Sequence, residues 1–212
     1  MKKIFLSLAS SALLLSSSAL AGNMDINKAQ SKIEWMGKKV IGDSHNGTID
    51  VKSGHLKVDS GKLTGGEIVV NMKSIKNEDV KDPKWNKKLV GHLESADFFA
   101  TEKHPESKLI ITSAKSTGKN KYELQGKLTV RGITKDINKK NSKDSKEVEV
   151  KIENVMFDGN KLVATMTFDR TVFDVKYGSS SIFKLAADKV IDDKIKIDAT
   201  IYTTPANKQS SL

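Results

Sequence analysis

The chain has 212 residues, no cysteine and a formal net charge of +10 at pH 7. The absence of cysteine excludes thiol catalysis, cysteine metal sites and disulfides, and the length suits one domain that relies on its apolar core. All basic residues except Arg131 and Arg170 are lysines, which are interspersed with acids. Because nucleic-acid recognition favours clustered arginine, no nucleic acid is expected, whereas weak contact with an anionic membrane surface stays open.

The N-terminal segment has the pattern of a secretory signal peptide. Two lysines precede an apolar run interrupted by serines, and an A-x-A cleavage motif follows at residues 19–21. The run is too short for a membrane-spanning helix. The expected divisions are a cleavable signal peptide at residues 1–21, a single domain at 22–205 and a flexible tail at 206–212.

Alternation of apolar and polar residues predicts strands along most of the remaining chain. In chain order, the predicted strands cover residues 33–41, 47–51, 55–58, 62–74, 108–114, 121–132, 133–138, 146–153, 161–170 and 193–203. One apolar and one charged face per strand indicates antiparallel pairing with one side in water. About eight such strands predict a sandwich or a closed barrel, and a closed barrel can hold one small ligand.

One segment, DPKWNKKLVGHLESADFF, breaks the strand pattern and predicts a single helix. Asp82 suits the N-cap and Pro83 the first helical position. The apolar residues that recur at helical spacing are Trp85, Leu89, Leu93 and Ala96, and the last three are expected to face the barrel. In the following Phe98-Phe99 pair, only one ring would point fully inward if the chain were extended there.

Candidate chemistry is sparse. The four histidines, His45, His55, His92 and His104, show no metal-ligand spacing, and no nucleophile motif is present. We therefore expect no metal, no catalytic residue and no cofactor other than a bound ligand. A spatial cluster of histidines with Asp43 or Asp97 is the less favoured alternative.

The predicted inward face mixes small and large flexible residues. Gly126, Ala164 and Ala199 are small, whereas Met72 and Met166 adapt to irregular shapes. This combination favours room for a chain-like ligand, and the alternative is that the small residues only fit the taper of a packed barrel.

By alternation, Arg170 shares the inward face with Phe168. A buried arginine needs partners. An ion pair with an acid such as Asp174 is the favoured interpretation, and contact with the polar head of a ligand is the alternative.

Four blocks, in order, resemble the YceI-like family of exported, polyisoprenoid-binding, lipocalin-like proteins: SKIEWMGKKVIGDSHNGTI, HLESADFFATEKHP, GKLTVRGITK and FDRTVFDVKYG. The resemblance implies a mainly β fold, an extended eight-stranded antiparallel barrel with one helix packed across it. It also implies a periplasmic binding protein, not an enzyme, that holds a long isoprenoid lipid or quinone for sequestration, transport or storage. A homodimer is compatible with it.

The residues expected to bind the ligand are Trp35, Ile68, Val70, Met72, Phe98, Phe99, Ile111, Leu128, Val130, Met166, Phe168, Arg170, Phe173 and Ile197. Two other functions remain as alternatives. One is an enzyme that acts on a lipid or quinone through His92, His104 and Arg170. The other is a stress-response or adhesion barrel that is packed solid and acts through its basic surface.

Overall fold

The computed structural model describes residues 21–139 and 148–205. The predicted signal peptide up to residue 20, the charged segment 141–146 and the tail 206–212 lie outside these residues. The elements are β1 Gly22–Ile26, β2 Lys32–Lys38, β3 Ser44–Ile49, β4 Val51–Asp59, β5 Lys62–Asn71, β6 Lys76–Asn77, α1 Pro83–Glu94, β7 Glu106–Gly118, β8 Lys121–Val130, β9 Ile133–Ile137, β10 Val150–Phe157, β11 Lys161–Asp169 and β12 Lys194–Pro205.

These strands form one antiparallel sheet that closes into a barrel of eight positions. Four positions are each shared by two consecutive strands, namely β1 with β2, β3 with β4, β5 with β6 and β9 with β10. The remaining positions are held by β7, β8, β11 and β12. Within the described residues, every strand except the short β6 and β9 is paired on both sides, which suits a wall with an apolar inner face and a charged outer face.

The two-part pairing of β12 closes the ring. Residues 196–200 of β12 pair with β2, and residues 203–205 pair with β1. Because β1 and β2 lie end to end, together they cover one side of β12 while β11 covers the other. The predicted eight-stranded antiparallel barrel is therefore confirmed.

One end of the barrel is closed by a dense apolar core. Leu56, Leu63, Leu124, Phe157 and Ile201 are almost fully buried there. The short turns between β4 and β5, β7 and β8, and β10 and β11 lie at this end. The opposite end, where β5, β8 and β11 finish, carries α1 and the longer loops, and we refer to it as the mouth.

Gly126 has a different role from the one predicted. A Cβ atom there would lie 1.9 Å from the main-chain oxygen of Ile110, because the backbone of β7 approaches β8 closely at the register shift after Ile111. Gly126 therefore permits a close approach of two strands, as glycine does at sheet bends, and it does not line the interior space.

This geometry makes Gly126→Ala a test of the close approach. We expect the variant to lower the free energy of unfolding by about 1–3 kcal/mol, since the added methyl group must displace backbone atoms. The matched control is Gly37→Ala in β2, where a Cβ atom meets nothing within 4 Å. Urea denaturation of both variants measures the difference, and equal stabilities would contradict this role of Gly126.

Candidate functional site

An apolar cavity of about 400 Å³ occupies the interior between the closed end and the mouth. Alternate residues of several strands line it, in particular Leu124, Leu128 and Val130 of β8 and Leu162, Ala164, Met166 and Phe168 of β11. The neighbouring strand β12 completes this part of the wall with the row Ile195, Ile197, Ala199 and Ile201. A row of seven residues, as from Leu124 to Val130, spans about 20 Å at roughly 3.3 Å per residue, so the cavity is elongated along the strands.

Thirteen of the fourteen predicted site residues line this cavity, although their contact with a ligand stays a prediction. The exception is Phe173, which is fully buried behind the wall. Its ring packs edge-to-face against Phe168, with the ring centroids 5.6 Å apart. Phe173 therefore supports a cavity-lining side chain instead of forming the wall itself.

The two small residues Ala164 and Ala199 leave space in the cavity that larger side chains would occupy. They lie directly opposite each other on β11 and β12, and both line the cavity. Larger side chains at this pair would fill the lumen at its middle. The expectation that small inward residues leave room thus fits the two alanines. It does not fit Gly126, which is small because the backbone of β7 lies too close for a side chain.

The mouth side of the cavity is formed by α1 and the turn that follows it. Asp82 caps the helix, because its carboxylate accepts hydrogen bonds from the N–H groups of Lys84 and Trp85. Of the three residues of the apolar stripe that were expected to face the barrel, two are placed there. Leu89 and Leu93 line the cavity, but Trp85 and Ala96 are exposed to solvent, because α1 covers the mouth without being enclosed by other elements.

Both Phe98 and Phe99 line the cavity. Residues 96–99 form turns, so the alternation that would send one ring outward in an extended chain does not apply. Phe98 is buried and Phe99 is half-buried, with their ring centroids 6.4 Å apart.

A cluster of rings at the mouth was not predicted. The ring of His92 packs edge-on against Phe98 at 4.9 Å and against Tyr177 at 4.7 Å, measured between centroids. The Nε2 atom of His92 lies 3.2 Å from a carboxylate oxygen of Asp97. Tyr177 belongs to an irregular loop, where no periodicity indicates which side chains turn inward.

Arg170 lies beside the mouth and is 1% exposed. Its five N–H donors are all used, four by the main-chain oxygens of the loop at residues 175–192 and one by Asp193 Oδ1 at 3.2 Å. The prediction that Arg170 forms an ion pair within the protein is thus correct, but its partner is Asp193 and not Asp174. Burial lowers the pKa of Arg170 from its ordinary value, and the carboxylates of Asp193, Asp169 and Asp192 oppose this shift.

A second polar contact, between His45 and Asp79, connects the rim of the cavity to the segment that precedes α1. His45, which lines the cavity, has Nδ1 2.8 Å from Asp79 Oδ2, and Asp79 also accepts hydrogen bonds from the Asn46 N–H and the Asn77 amide. Burial raises the pKa of Asp79, but these hydrogen bonds outweigh it and hold the pKa below its ordinary value. The carboxylate therefore stays charged at neutral pH and can accept all three hydrogen bonds.

Within residues 21–139 and 148–205, no three acidic or histidine side chains converge on a point that would hold a metal ion. In the same part of the chain, no helix has the length and apolar character needed to cross a bilayer. The cavity walls carry mainly aliphatic and aromatic groups, and the polar groups are concentrated near the mouth.

The YceI-like domain model matches residues 24–203, and the chain therefore belongs to the YceI-like family. A UPF0312 protein of Pseudomonas putida (strain GB-1) is 31% identical over 143 residues, which are 65% of this chain and 70% of the relative. A UPF0312 protein of Photorhabdus laumondii is 33% identical over 141 residues, with the same shares of the two chains covered.

Two solved structures share the fold. BcnA of Burkholderia cenocepacia has a TM-score of 0.57 at 19% identity, covering 84% of this chain and 98% of its own. A polyisoprenoid binding domain from Saccharophagus degradans has a TM-score of 0.55 at 9% identity, covering 86% and 98%. At these identities the likeness concerns the fold, which agrees with the barrel described above.

The Arg170 network predicts unequal effects for two carboxylate-to-amide changes. Asp193→Asn removes the negative charge that neutralises a buried guanidinium, and we expect it to lower the free energy of unfolding by about 1–3 kcal/mol. Asp174→Asn alters an exposed carboxylate whose partners are Lys176 and Arg131, and we expect a loss below about 1 kcal/mol. Chemical denaturation of both variants measures this, and a larger loss in Asp174→Asn would contradict the assignment.

Proposed function

We propose that this protein is a binding protein that holds a long-chain isoprenoid lipid in the barrel, for sequestration, transport or storage. The observation that carries the proposal is the elongated cavity lined mainly by aliphatic and aromatic side chains. Each methylene group removed from water contributes roughly 0.8 kcal/mol, so such a lumen holds a chain with few polar contacts. The volume lies within the range of about 300–1,000 Å³ usual for ligand sites.

The choice of an isoprenoid draws on the family and on a structural relative. The Saccharophagus degradans domain with the same fold is a polyisoprenoid binding domain. We extend this ligand class to the present chain, with a polyprenyl lipid or an isoprenoid quinone as the specific form. Methionines and aromatic rings in the wall suit a methyl-branched chain, because Met72 and Met166 can repack around it.

We also propose that the protein binds its ligand without catalysing a reaction on it. Of the three residues considered for an enzyme, His104 does not line the cavity and Arg170 has no N–H donor left for a substrate. The alternative of a barrel packed solid is disfavoured by the cavity itself. The homodimer remains a prediction.

We also propose a periplasmic location and weak docking of the mouth on an anionic membrane. The location draws on the N-terminal lysines, apolar run and cleavage motif.

The docking draws on two loops at the mouth, joined by the hydrogen bond from the Val40 N–H to the Val190 oxygen. They expose the large apolar side chains Val40, Ile41, Ile182, Phe183 and Leu185, and nearby lysines suit anionic headgroups.

Lipid binding is tested by organic extraction of protein purified without detergent, followed by mass spectrometry. We expect an isoprenoid lipid from the unaltered protein and at least about tenfold less from Ala199→Phe, since excluding two methylenes already costs roughly 1.6 kcal/mol. Thr200→Phe is the matched control, because its side chain does not line the cavity. No extracted lipid together with no uptake of added polyprenol would refute the proposal.

Membrane docking is tested by sedimentation with phosphatidylglycerol vesicles. We expect the double change Ile41→Ser and Phe183→Ser to weaken vesicle binding about tenfold or more, because two large apolar groups no longer enter the interface. Met156→Ser is the control, since Met156 is also exposed but lies near the closed end. Equal losses in both variants would count against docking through the mouth.

A further inference from the structure

The hydroxyl group of Ser107 differs from every other buried polar group in the described residues. It is the one buried side-chain nitrogen or oxygen in residues 21–139 and 148–205 that has no hydrogen-bond partner. Ser107 is 7% exposed and lines the cavity. Since an unsatisfied buried hydroxyl costs free energy, its presence in an otherwise apolar wall calls for a partner.

The position of Ser107 places this hydroxyl among apolar groups in the mouth half of the lumen. Ser107 lies near the start of β7, opposite Val70 of β5, and it shares an inward row with Leu109 and Ile111. A chain that enters through the mouth with its apolar end first would bring its terminal polar group to this half of the cavity.

The other polar groups that line the cavity already have partners or stand at the rim. Arg170 uses all of its N–H donors, Lys108 lies 3.6 Å from Glu67, and His92 lies 3.2 Å from Asp97. Lys38 and Lys39 also line the cavity, but they stand at the rim where β2 ends, and Lys38 lies 3.6 Å from Asp192. A phosphate beside Ser107 would therefore have to give up its water without a compensating charge from these groups.

We infer that Ser107 is a specificity-determining residue whose hydroxyl bonds an uncharged oxygen, a hydroxyl or a carbonyl, near the end of the bound chain. A serine hydroxyl can donate to a carbonyl and can donate to or accept from an alcohol. This inference rests on the proposed function and narrows its ligand to neutral lipids that carry a hydroxyl or carbonyl group near one end, with phosphorylated chains as the disfavoured class.

The test compares three ligands that share one chain: geranylgeraniol, the hydrocarbon that lacks its hydroxyl, and geranylgeranyl phosphate. Affinities are measured by displacement of a fluorescent fatty-acid probe. For the unaltered protein, we expect the alcohol to bind about tenfold more tightly than the hydrocarbon, and the phosphate to bind more weakly than the alcohol.

In Ser107→Ala, we expect the preference for the alcohol to fall to about twofold or less while the affinity for the hydrocarbon is kept. Ser113→Ala on the exposed face of the same strand is the matched control and keeps the full preference. An unchanged preference in Ser107→Ala, as expected if a water molecule satisfies the hydroxyl, would overturn the inference, as would tighter binding of the phosphate. If none of the three ligands binds the unaltered protein, the lipid-binding proposal fails as well.

Discussion

The structure depends on closure of the sheet by β12, which holds β11 on one side and both β1 and β2 on the other. Once the ring is closed, every strand has hydrogen-bonded neighbours, and the two faces of the wall meet different environments. The inner face can then remain apolar along its length without being filled. A cavity in such a ring is stabilised by the wall around it and needs no packing against a second layer.

The cavity and the loops at its mouth follow different physical rules. The lumen is built from regular strands, in which alternation assigns each side chain to one face. The mouth is built from turns, and its geometry is fixed by specific hydrogen bonds, above all those of Arg170. A single guanidinium thus organises a long loop, so that Tyr177 reaches the ring of His92.

The sequence predicted most of the barrel, and the reasons for the errors are local. The rows of β8, β11 and β12 were predictable because their alternation is unbroken, and these rows supply much of the cavity wall. The strand β1 was missed because it is only five residues long, so that Met24 and Ile26 alternate with Asn23 and Asp25 over too short a run to stand out, although Ile26 is buried in the core. The partner of Arg170 and the contact of the exposed Tyr177 with His92 depend on loop geometry, and the unpartnered hydroxyl of Ser107 becomes visible only once its surroundings are known.

The helix α1 has a consequence for access to the interior. It buries no side chain fully. It is held by its N-cap, by the Asn86 amide, which donates to main-chain oxygens of the preceding segment, and by the contacts of Leu93 and His92 at the mouth. Local opening of such an element costs less free energy than unfolding of the ring, because few apolar contacts are broken. A ligand that enters through the mouth would pass α1, and local opening of this helix would let the contents of the barrel be exchanged while the ring stays closed.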